Sequence, residues 1–348
     1  MNSSSLYLGN TRFIPARYQA ALLLEFAETQ DLPPQSLLTH SQLSLETLCH
    51  PQSLLSPCEY LQLLQALQQA IPGCETGLQL GQQLLPGQLG AVSHALLQAP
   101  SLKHALDLLV QHQASLSPLL VPHLMQLGEQ TLLYWTDACV SPRLRGFVVD
   151  MMMAAVTGMS RWLGGERIPW RYRFNRTRPQ SLAPYLVHLG PDLHFNDYLD
   201  AMSLPTAWLT RPWSRGSLTR MQLACDEAAR LAVDTPKQSH LGVLYDFLSS
   251  RVRNNPTLEQ AAGHFGISPA TLKRQLAAQG THFQAELDQV RTHVTLQLIC
   301  NQGYSNEQIA TWLGFHDATN FRRACKRWTG LTPSLLREHL LIRPSVMD

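Results

Sequence analysis

The stretch Thr257-Leu-Glu-Gln-Ala-Ala-Gly-His-Phe-Gly-Ile-Ser-Pro-Ala-Thr-Leu-Lys-Arg-Gln-Leu276 decides how the last third of this chain folds. Thr257 and Gln260 are spaced for a capping box, in which a hydroxyl and an amide satisfy free N–H groups at a helix start. Gly266 supplies a turn position that tolerates positive φ, and Ser268-Pro269 then provides the N-cap and first residue of a second helix. The stretch therefore predicts a helix-turn-helix.

The same order of residues returns 48 positions later, in Ser305-Asn-Glu-Gln-Ile-Ala-Thr-Trp-Leu-Gly-Phe-His-Asp-Ala-Thr-Asn-Phe-Arg-Arg-Ala-Cys-Lys-Arg-Trp328. Ser305 with Gln308 repeats the capping box, and Gly314 repeats the turn glycine. One motif of this kind arises by chance in many proteins, but two in register are much harder to obtain accidentally. The chain therefore carries a duplicated helix-turn-helix unit.

A long helix is predicted between the two units, over residues 283–301, because apolar residues recur there at helical spacing. The second helix of each unit is short enough to enter the major groove of DNA, which is about 12 Å wide. If the long helix holds the units about 34 Å apart, both second helices meet successive major grooves on one face of a duplex. The repeat thus favours nucleic-acid binding.

The residues upstream of the repeat predict a separate unit of mixed secondary structure. Periodic apolar residues over 144–162 predict a long helix with one apolar face, whereas residues 131–135 and the alternation over 170–175 predict strands. The polar, proline-containing stretch 234–239 is the best linker candidate. We therefore expect an α+β N-terminal domain over residues 1–233, a linker at 234–239, an all-α C-terminal domain over 240–340 and a tail at 341–348.

Charge and cysteine usage narrow the class of protein. Residues 239–348 carry 11 Lys and Arg against 8 Asp and Glu, whereas residues 1–238 carry 16 against 17. The positive excess in the last third permits nucleic-acid binding without establishing it. Seven scattered cysteines without a C-x-x-C pair predict reduced thiols in a cytoplasmic protein, not a disulfide framework or a metal site. We expect no metal, no cofactor and no membrane span.

Residues 309–337 carry a recognisable signature. The stretches Ile309-Ala-Thr-Trp-Leu-Gly-Phe315 and Asn320-Phe-Arg-Arg-Ala-Cys-Lys-Arg-Trp-Thr-Gly-Leu-Thr-Pro333, followed by Arg337, resemble the C-terminal signature of the AraC/XylS family of bacterial transcription regulators. This resemblance extends over residues 239–340 and implies a DNA-binding unit of seven helices with two recognition helices. Residues 80–115 resemble the arabinose-binding-like N-terminal domain found in a subgroup of these regulators.

The resemblance implies that double-stranded DNA, at a promoter or operator, is the partner of ten residues. Six of them are assigned to base edges or the groove, namely Lys273, Arg274, Thr319, Asn320, Arg322 and Arg323. Four are assigned to phosphates, namely Ser268, Thr271, Lys326 and Arg327. An arginine can hold guanine O6 and N7 with two hydrogen bonds, a contact worth about 1–3 kcal/mol of discrimination. We therefore expect sequence-specific binding.

Two places in the sequence depart from the family's pattern. Cys325 stands where most members have an aromatic residue, which predicts a slightly looser core contact. Pro269 and Ala270 stand where many members place larger polar residues. Base readout in the first unit is therefore expected to depend largely on Lys273 and Arg274.

For the first domain, the resemblance implies a sensor of a small-molecule effector. The expected protein is an activator that acts with RNA polymerase and can form a homodimer, and the sequence does not identify the effector pocket. A helix predicted over residues 218–233, with Leu223, Ala224, Ala228 and Leu231, is either a relay or dimer element or an ordinary packed helix. The alternative is a non-sensing DNA-binding or interaction protein whose N-terminal domain only oligomerises.

Signatures of catalysis are absent from the sequence. Neither H-E-x-x-H, nor G-x-S-x-G, nor a phosphate-binding glycine-rich loop occurs, despite fourteen histidines. A DNA-repair protein with a zinc-bound methyl-accepting cysteine can also carry an AraC-type unit, but it needs closely placed cysteines in its first domain. Cys49, Cys58, Cys74 and Cys139 lack that spacing. We expect no catalytic residues and no enzyme.

Overall fold

The structure is a computed structural model that describes residues 6–39, 43–231 and 235–341. Residues 232–234 of the predicted domain junction and residues 342–348 of the predicted tail lie outside these ranges. Over the described part of the chain, a unit of mixed helices and strands is followed by a unit of helices alone. The expected α+β and all-α fold classes are therefore confirmed.

Ten α-helices of the described chain precede residue 232, four of them longer than twelve residues. They are α1 (Ala16–Thr29), α2 (Leu45–Cys49), α3 (Pro57–Ala70), α4 (Glu75–Leu84), α5 (Ala91–Leu97), α6 (Leu102–Gln111), α7 (Gln113–Leu116), α8 (Pro142–Gly164), α9 (Ala183–His188) and α10 (Leu218–Leu231). The sequence also predicts shorter helices near residues 17–28, 60–69 and 102–111, where apolar residues recur at helical spacing, and α1, α3 and α6 confirm them.

Most strand residues of the described chain belong to one five-stranded sheet in the order β4-β5-β8-β6-β7, in which only the β6–β7 pair is parallel. The strands are β1 (Leu6–Tyr7), β2 (Ile14–Pro15), β3 (Leu54–Leu55), β4 (Leu120–Leu127), β5 (Gln130–Asp137), β6 (Arg171–Phe174), β7 (Leu193–Phe195), β8 (Ala201–Pro205) and β9 (Gln238–Ser239). Both predicted strands are thus confirmed, as β5 and β6.

Helix α8 confirms the long predicted helix, but the prediction of a single apolar face is wrong. Its central turns are buried on every side, because Val149, Met153 and Val156 are as inaccessible as the residues of the predicted face. On one side α4 approaches so closely that a Cβ on Gly81 would lie 2.2 Å from the Met151 carbonyl oxygen. On the other side Thr157 shares a 2.7 Å hydrogen bond with Tyr172 of β6. The helix is the centre of the N-terminal core.

The basic residues on and just after β6 form ion pairs with carboxylates of the N-terminal unit. Arg173 is 8% exposed and donates to Asp197 at 2.8 Å, and Arg171 donates to Asp192 at 3.1 Å. Arg176, just beyond the strand, pairs with the buried Asp150 of α8. Arg173 and Arg176 therefore neutralise buried carboxylates, which would otherwise be costly in free energy, whereas the Asp192 side chain is 42% exposed and its pair with Arg171 contributes little.

Seven helices make up the C-terminal unit from residue 240 to the last described residue. They are α11 (His240–Arg251), α12 (Leu258–Phe265), α13 (Pro269–Ala278), α14 (Phe283–Gln302), α15 (Asn306–Trp312), α16 (Ala318–Thr329) and α17 (Pro333–Leu341). The pairs α12–α13 and α15–α16 are the two helix-turn-helix units, and α14 is the predicted long helix between them. This confirms the seven-helix unit that the family resemblance implies.

The two turns have the same backbone hydrogen bonds. Gly266 (φ 67°) donates to the Gly263 carbonyl at 3.1 Å, and Gly314 (φ 73°) donates to the Thr311 carbonyl at 3.2 Å. In each unit the following residue, Ile267 or Phe315, donates five residues back, to an alanine carbonyl, at 3.0 or 2.8 Å. Both glycines are therefore in the left-handed conformation that closes a helix C-terminus.

After the turn glycine, the second helix-turn-helix unit is one residue longer than the first. Ser268 caps α13 by accepting from the Thr271 N–H at 3.1 Å, whereas Asp317 caps α16 by accepting from the Asn320 N–H at 2.7 Å. These caps are 49 positions apart, while the glycines are 48 apart. The second turn is thus one residue longer, and the matching positions of α13 and α16 are offset by 49.

The two units of the fold pack against each other through apolar and polar contacts. Tyr134 of β5 shares a 2.9 Å hydrogen bond with Tyr245 of α11, whose hydroxyl also lies 2.8 Å from His293 Nδ1 on α14. At the end of α14, Asn301 accepts from the Gly128 N–H at 2.8 Å and donates to the Gln126 carbonyl of β4 at 2.7 Å. The long helix therefore contacts the sheet directly.

The segment predicted as a linker also has a defined place. Gln238–Ser239, which is β9, pairs in parallel with β1 at the start of the chain. Ser239 then caps α11 by accepting from the Gly242 N–H at 2.9 Å. The entry to the C-terminal unit is thus hydrogen-bonded to the N-terminal unit.

The buried histidines between the units give the first prediction. Burial lowers the pKa of His293 to about 3 and that of His123, which stacks on Tyr134, to about 4. An unfolded histidine titrates near 6.5, so the unfolded chain binds these protons first as the pH falls. Stability is therefore complete above pH about 6.5 and falls below it, by on the order of 1 kcal/mol per pH unit for each histidine.

His293→Gln should make this pH dependence less steep, as measured by urea unfolding between pH 7 and pH 5. His316→Gln is the matched control, because the His316 side chain is 93% exposed and should leave the slope unchanged. Equal slopes for His293→Gln and the wild type would contradict the prediction.

The turn glycines give the second prediction. Gly266→Ala should destabilise the protein by about 1–2 kcal/mol, because its φ is left-handed although a Cβ there meets nothing within 4 Å. Gly314→Ala should cost more, since its Cβ would also lie 2.5 Å from Asn255 Nδ2. The control Gly263→Ala lies inside α12 in open space and should be neutral or stabilising. Equal losses at both turns, measured by denaturant unfolding, would contradict the assignment.

Candidate nucleic-acid interface

The ten residues predicted to contact DNA lie at the surface of the two helix-turn-helix units. Thr271 is half-buried, and the other nine are exposed, namely Ser268, Lys273, Arg274, Thr319, Asn320, Arg322, Arg323, Lys326 and Arg327. They belong to α13 and α16 or to the N-cap of α13. The structure therefore brings them onto the second helix of each unit.

Burial fixes which face of α16 is presented to solvent. Phe321, Ala324 and Cys325 point into the core, and Cys325 is fully buried at the position where the family has an aromatic residue. With that face packed, Arg322 and Arg323 must project outward, because residues one and two positions after a buried one turn away from it. The exposed side of α16 is consequently basic.

In α13 the same rule applies with smaller side chains. Leu272 and Leu276 are fully buried and hold the helix to the unit, so Lys273 and Arg274 are exposed. With the offset of 49, these two cations occupy the positions of Arg322 and Arg323 in α16. Each of the two helices therefore presents two cations at equivalent positions, as expected if both helices bind DNA in the same way.

Few of these cations are neutralised by the protein. Arg322 lies 3.8 Å from Glu307, and Arg327 lies 3.5 Å from Asp288, each in a solvent-exposed pair of small energetic value. Lys273, Arg274, Arg323 and Lys326 have no ion pair within the described ranges. Their charges are available to a polyanion.

The helix starts of the two units differ in charge. The Ser268 hydroxyl caps α13 and shares a 2.9 Å hydrogen bond with the Thr271 hydroxyl, whereas Asp317 caps α16 with a carboxylate. The backbone N–H of Asn320 and the helix start hold the pKa of Asp317 below its usual range, so the carboxylate is ionised at neutral pH. A phosphate is therefore accepted more readily at the start of α13 than at the start of α16. Asp317 is not among the residues that the sequence predicts for the site, although an aspartate just before a helix is an N-cap signal.

Arg291 of α14 fixes the distance between the two units. Its guanidinium donates to Asn255 Oδ1 at 2.9 Å and lies 5.7 Å from the ring of Phe315 and 5.8 Å from that of Trp328. Asn255 lies two residues before Thr257, the N-cap of the first helix-turn-helix unit. Its side-chain amide also lies against Gly314, the turn glycine of the second unit. One side chain thus contacts both units, which keeps α13 and α16 in a fixed relation.

Other kinds of site have little support in the described chain. Within residues 6–39, 43–231 and 235–341, no helix is long and apolar enough to cross a membrane. The same residues contain no group of three or more His, Cys, Asp or Glu side chains placed to hold a metal ion. The basic faces of α13 and α16 are therefore the leading candidate for a functional surface.

Comparison with known proteins assigns a family to both units. Residues 32–213 match the model described as "Arabinose-binding domain of AraC transcription regulator, N-term", and residues 261–339 match a helix-turn-helix domain. The first match spans more than half of the chain. The family resemblance of the sequence is thereby confirmed.

Relatives resemble the chain along most of its length. The "Ornithine utilization regulator" of Pseudomonas aeruginosa is 28% identical over 93% of this chain and 96% of its own. An uncharacterized helix-turn-helix-type regulator of Mycobacterium tuberculosis is 22% identical over 91% of this chain and 94% of its own. The crystal structure of the transcriptional regulator CdpR from Pseudomonas aeruginosa covers 92% of this chain and 98% of its own, at 19% identity and a TM-score of 0.45. On the family-model match over more than half of its length, the chain belongs to the AraC family of DNA-binding transcription regulators.

Proposed function

We propose that this regulator is effector-responsive and reads an operator through two successive major grooves with one chain. The observation that supports this most is the pair of exposed basic helices, α13 and α16, on either side of α14. This helix has 20 residues and is about 30 Å long at 1.5 Å per residue, close to the roughly 34 Å of one turn of DNA. Both recognition helices can then approach the same face of a duplex.

The individual contacts form part of the proposal. Lys273, Arg274, Thr319, Asn320, Arg322 and Arg323 lie along the exposed sides of α13 and α16, where base edges and groove walls would be reached. Ser268, Thr271, Lys326 and Arg327 would bind phosphates. Lys326 and Arg327 are in the last turn of α16, so they would follow the backbone as it leaves the groove.

For the rest of the molecule, we assign effector sensing to residues 1–233, connection to 234–239, DNA binding to 240–340 and a tail to 341–348. Activation together with RNA polymerase in the cytoplasm fits the family. The sensing role draws support from the direct contacts of β4 and β5 with α11 and α14, because an effector can change DNA affinity only if the two units are energetically coupled.

A homodimer through α10 is also proposed. Leu223 and Leu231 lie eight residues apart on one face of the helix, and they are 64% and 75% exposed. In an antiparallel pair centred between Leu223 and Ala224, Arg220 of one protomer faces Glu227 of the other. The exposed Leu223 at the centre of this pair and the charge complementarity favour a second copy of the chain as the partner of α10. Val233, the predicted end of this helix, lies outside the described residues.

Salt dependence of DNA binding tests the interface. The double variant Arg323→Ala and Lys326→Ala should lower the slope of log affinity against log salt by about 1 to 2, since each cation that no longer neutralises a phosphate removes about 0.9, and Lys326 is assigned to a phosphate while Arg323 lies in the groove between phosphates. Binding is measured on a fragment flanking the protein's own coding region, located by footprinting. The control pair Lys103→Ala and Arg215→Ala removes two exposed cations of the N-terminal unit and should leave the slope unchanged. The contact assignment is wrong if the two double variants give the same slope.

Light scattering after size exclusion tests the dimer. Leu223→Lys should shift the protein from dimer to monomer, because a charge placed in an apolar contact is left without a partner. Val187→Lys on α9 is the control, since Val187 is 72% exposed and lies far from α10 in the sequence. A dimer that survives Leu223→Lys, or a wild-type protein that is monomeric at all concentrations, would rule out this interface.

A further inference from the structure

A cleft in the N-terminal unit has the size of a small-molecule site. It encloses about 920 Å³ between α1, the end of α4 with the following residues 85–89, and the second half of α8. Sites for small ligands typically span about 300–1,000 Å³ and combine apolar walls with a few polar groups. The inference below rests on the proposed effector response, because it names what the effector would be.

Two arginines give the cleft a positive character. Arg17 of α1 and Arg161 of α8 both line it, and neither has a carboxylate within 4 Å among the described residues. They differ in this respect from Arg145, Arg173 and Arg176, which are paired with buried aspartates in the same unit. Arg161 donates one long hydrogen bond, to Gln82 Oε1 at 3.4 Å. A guanidinium without a carboxylate partner keeps its other donors for an external anion.

The remaining walls of the cleft are apolar and aromatic. Tyr18, Leu22, Leu97 and Trp162 line it, and Trp162 is 57% exposed although its residue type is usually buried. Arg17 lies 5.0 Å from the centre of the Tyr18 ring, which places a cation next to an aromatic surface. Besides the two arginines, the one charged residue that lines the cleft is Glu25, so the positive charge is in excess.

We propose that this cleft binds a small carboxylate with an aromatic or other apolar body. The carboxylate would be held by Arg17 and Arg161, and the body would lie against Tyr18 and Trp162. A neutral or cationic ligand of the same shape would leave both guanidiniums without a partner and would bind more weakly.

Helix α8 connects this cleft to the DNA-binding unit. Gly158, Arg161 and Trp162 are near its C-terminal end, and Pro142 at its start faces the turn between α13 and α14, where a Cβ on Gly280 would lie 3.7 Å from the proline ring. The 23 residues of α8 span about 34 Å. A ligand that shifts this packed helix would therefore displace its other end at the turn after the first recognition helix.

The test uses the full-length protein and the fluorescent probe 8-anilinonaphthalene-1-sulfonate, an organic anion with an aromatic body. The probe should bind with a saturable signal, and 3-phenylpropionate should displace it while 3-phenylpropionamide, which has the same body without the charge, should not. Arg17→Gln combined with Arg161→Gln should weaken both ligands by about tenfold or more, since a charge-assisted hydrogen bond is lost. Arg215→Gln, an exposed arginine outside the cleft, is the matched control and should bind like the wild type.

A second variant tests the location without changing charge. Ala21→Phe places a ring in the cleft and should abolish displaceable binding while the melting temperature stays near that of the wild type. Equal displacement by the acid and the amide, or unchanged binding in the double arginine variant, would overturn the proposal. The probe-displacement experiment contains no DNA, and the salt experiment contains no ligand. Failure of the cleft proposal can therefore be distinguished from failure of the proposed DNA-binding function.

Discussion

The fixed separation of the two recognition helices is the constraint on which the rest of the structure depends. A flexible connection would let each unit bind alone, and the combined affinity would be reduced by the entropy of ordering the second unit. The chain avoids this with α14, which is buried along most of its length, and with Arg291, which contacts Asn255, Phe315 and Trp328 at once. The side chains that we propose as DNA contacts can remain exposed because the framework beneath them is rigid.

Much of the C-terminal unit could be predicted from the sequence because its signals are local. A capping box lies within four residues, and the left-handed bend depends on the glycine at that position, so Thr257, Gly266 and Gly314 are readable without tertiary information. The exposure of the ten proposed contacts follows from the same helical periodicity. The extra residue in the second turn was readable only after Asp317 had been recognised as the cap of α16.

The N-terminal unit was harder to predict because its decisive contacts join distant residues. The alternation around Tyr172 gives a strand, but it cannot show that Arg173 meets Asp197 inside the protein. Likewise, α8 is buried all round because α4 and β6 enclose it, and the pattern of its own residues does not name these neighbours. The cleft beside Arg17 and Arg161 brings together segments more than one hundred residues apart, so only the folded chain displays it.

The two helix-turn-helix units are related by a tandem repeat of one chain and are not identical. One begins its second helix with the uncharged Ser268, the other with the anionic Asp317. A symmetric pair of readers recognises a palindrome and has no preferred direction on DNA. A tandem pair whose two helix starts differ in charge is asymmetric. One molecule of this protein would therefore bind its operator in a single orientation, and the same side of the protein would face any protein bound to the adjacent DNA.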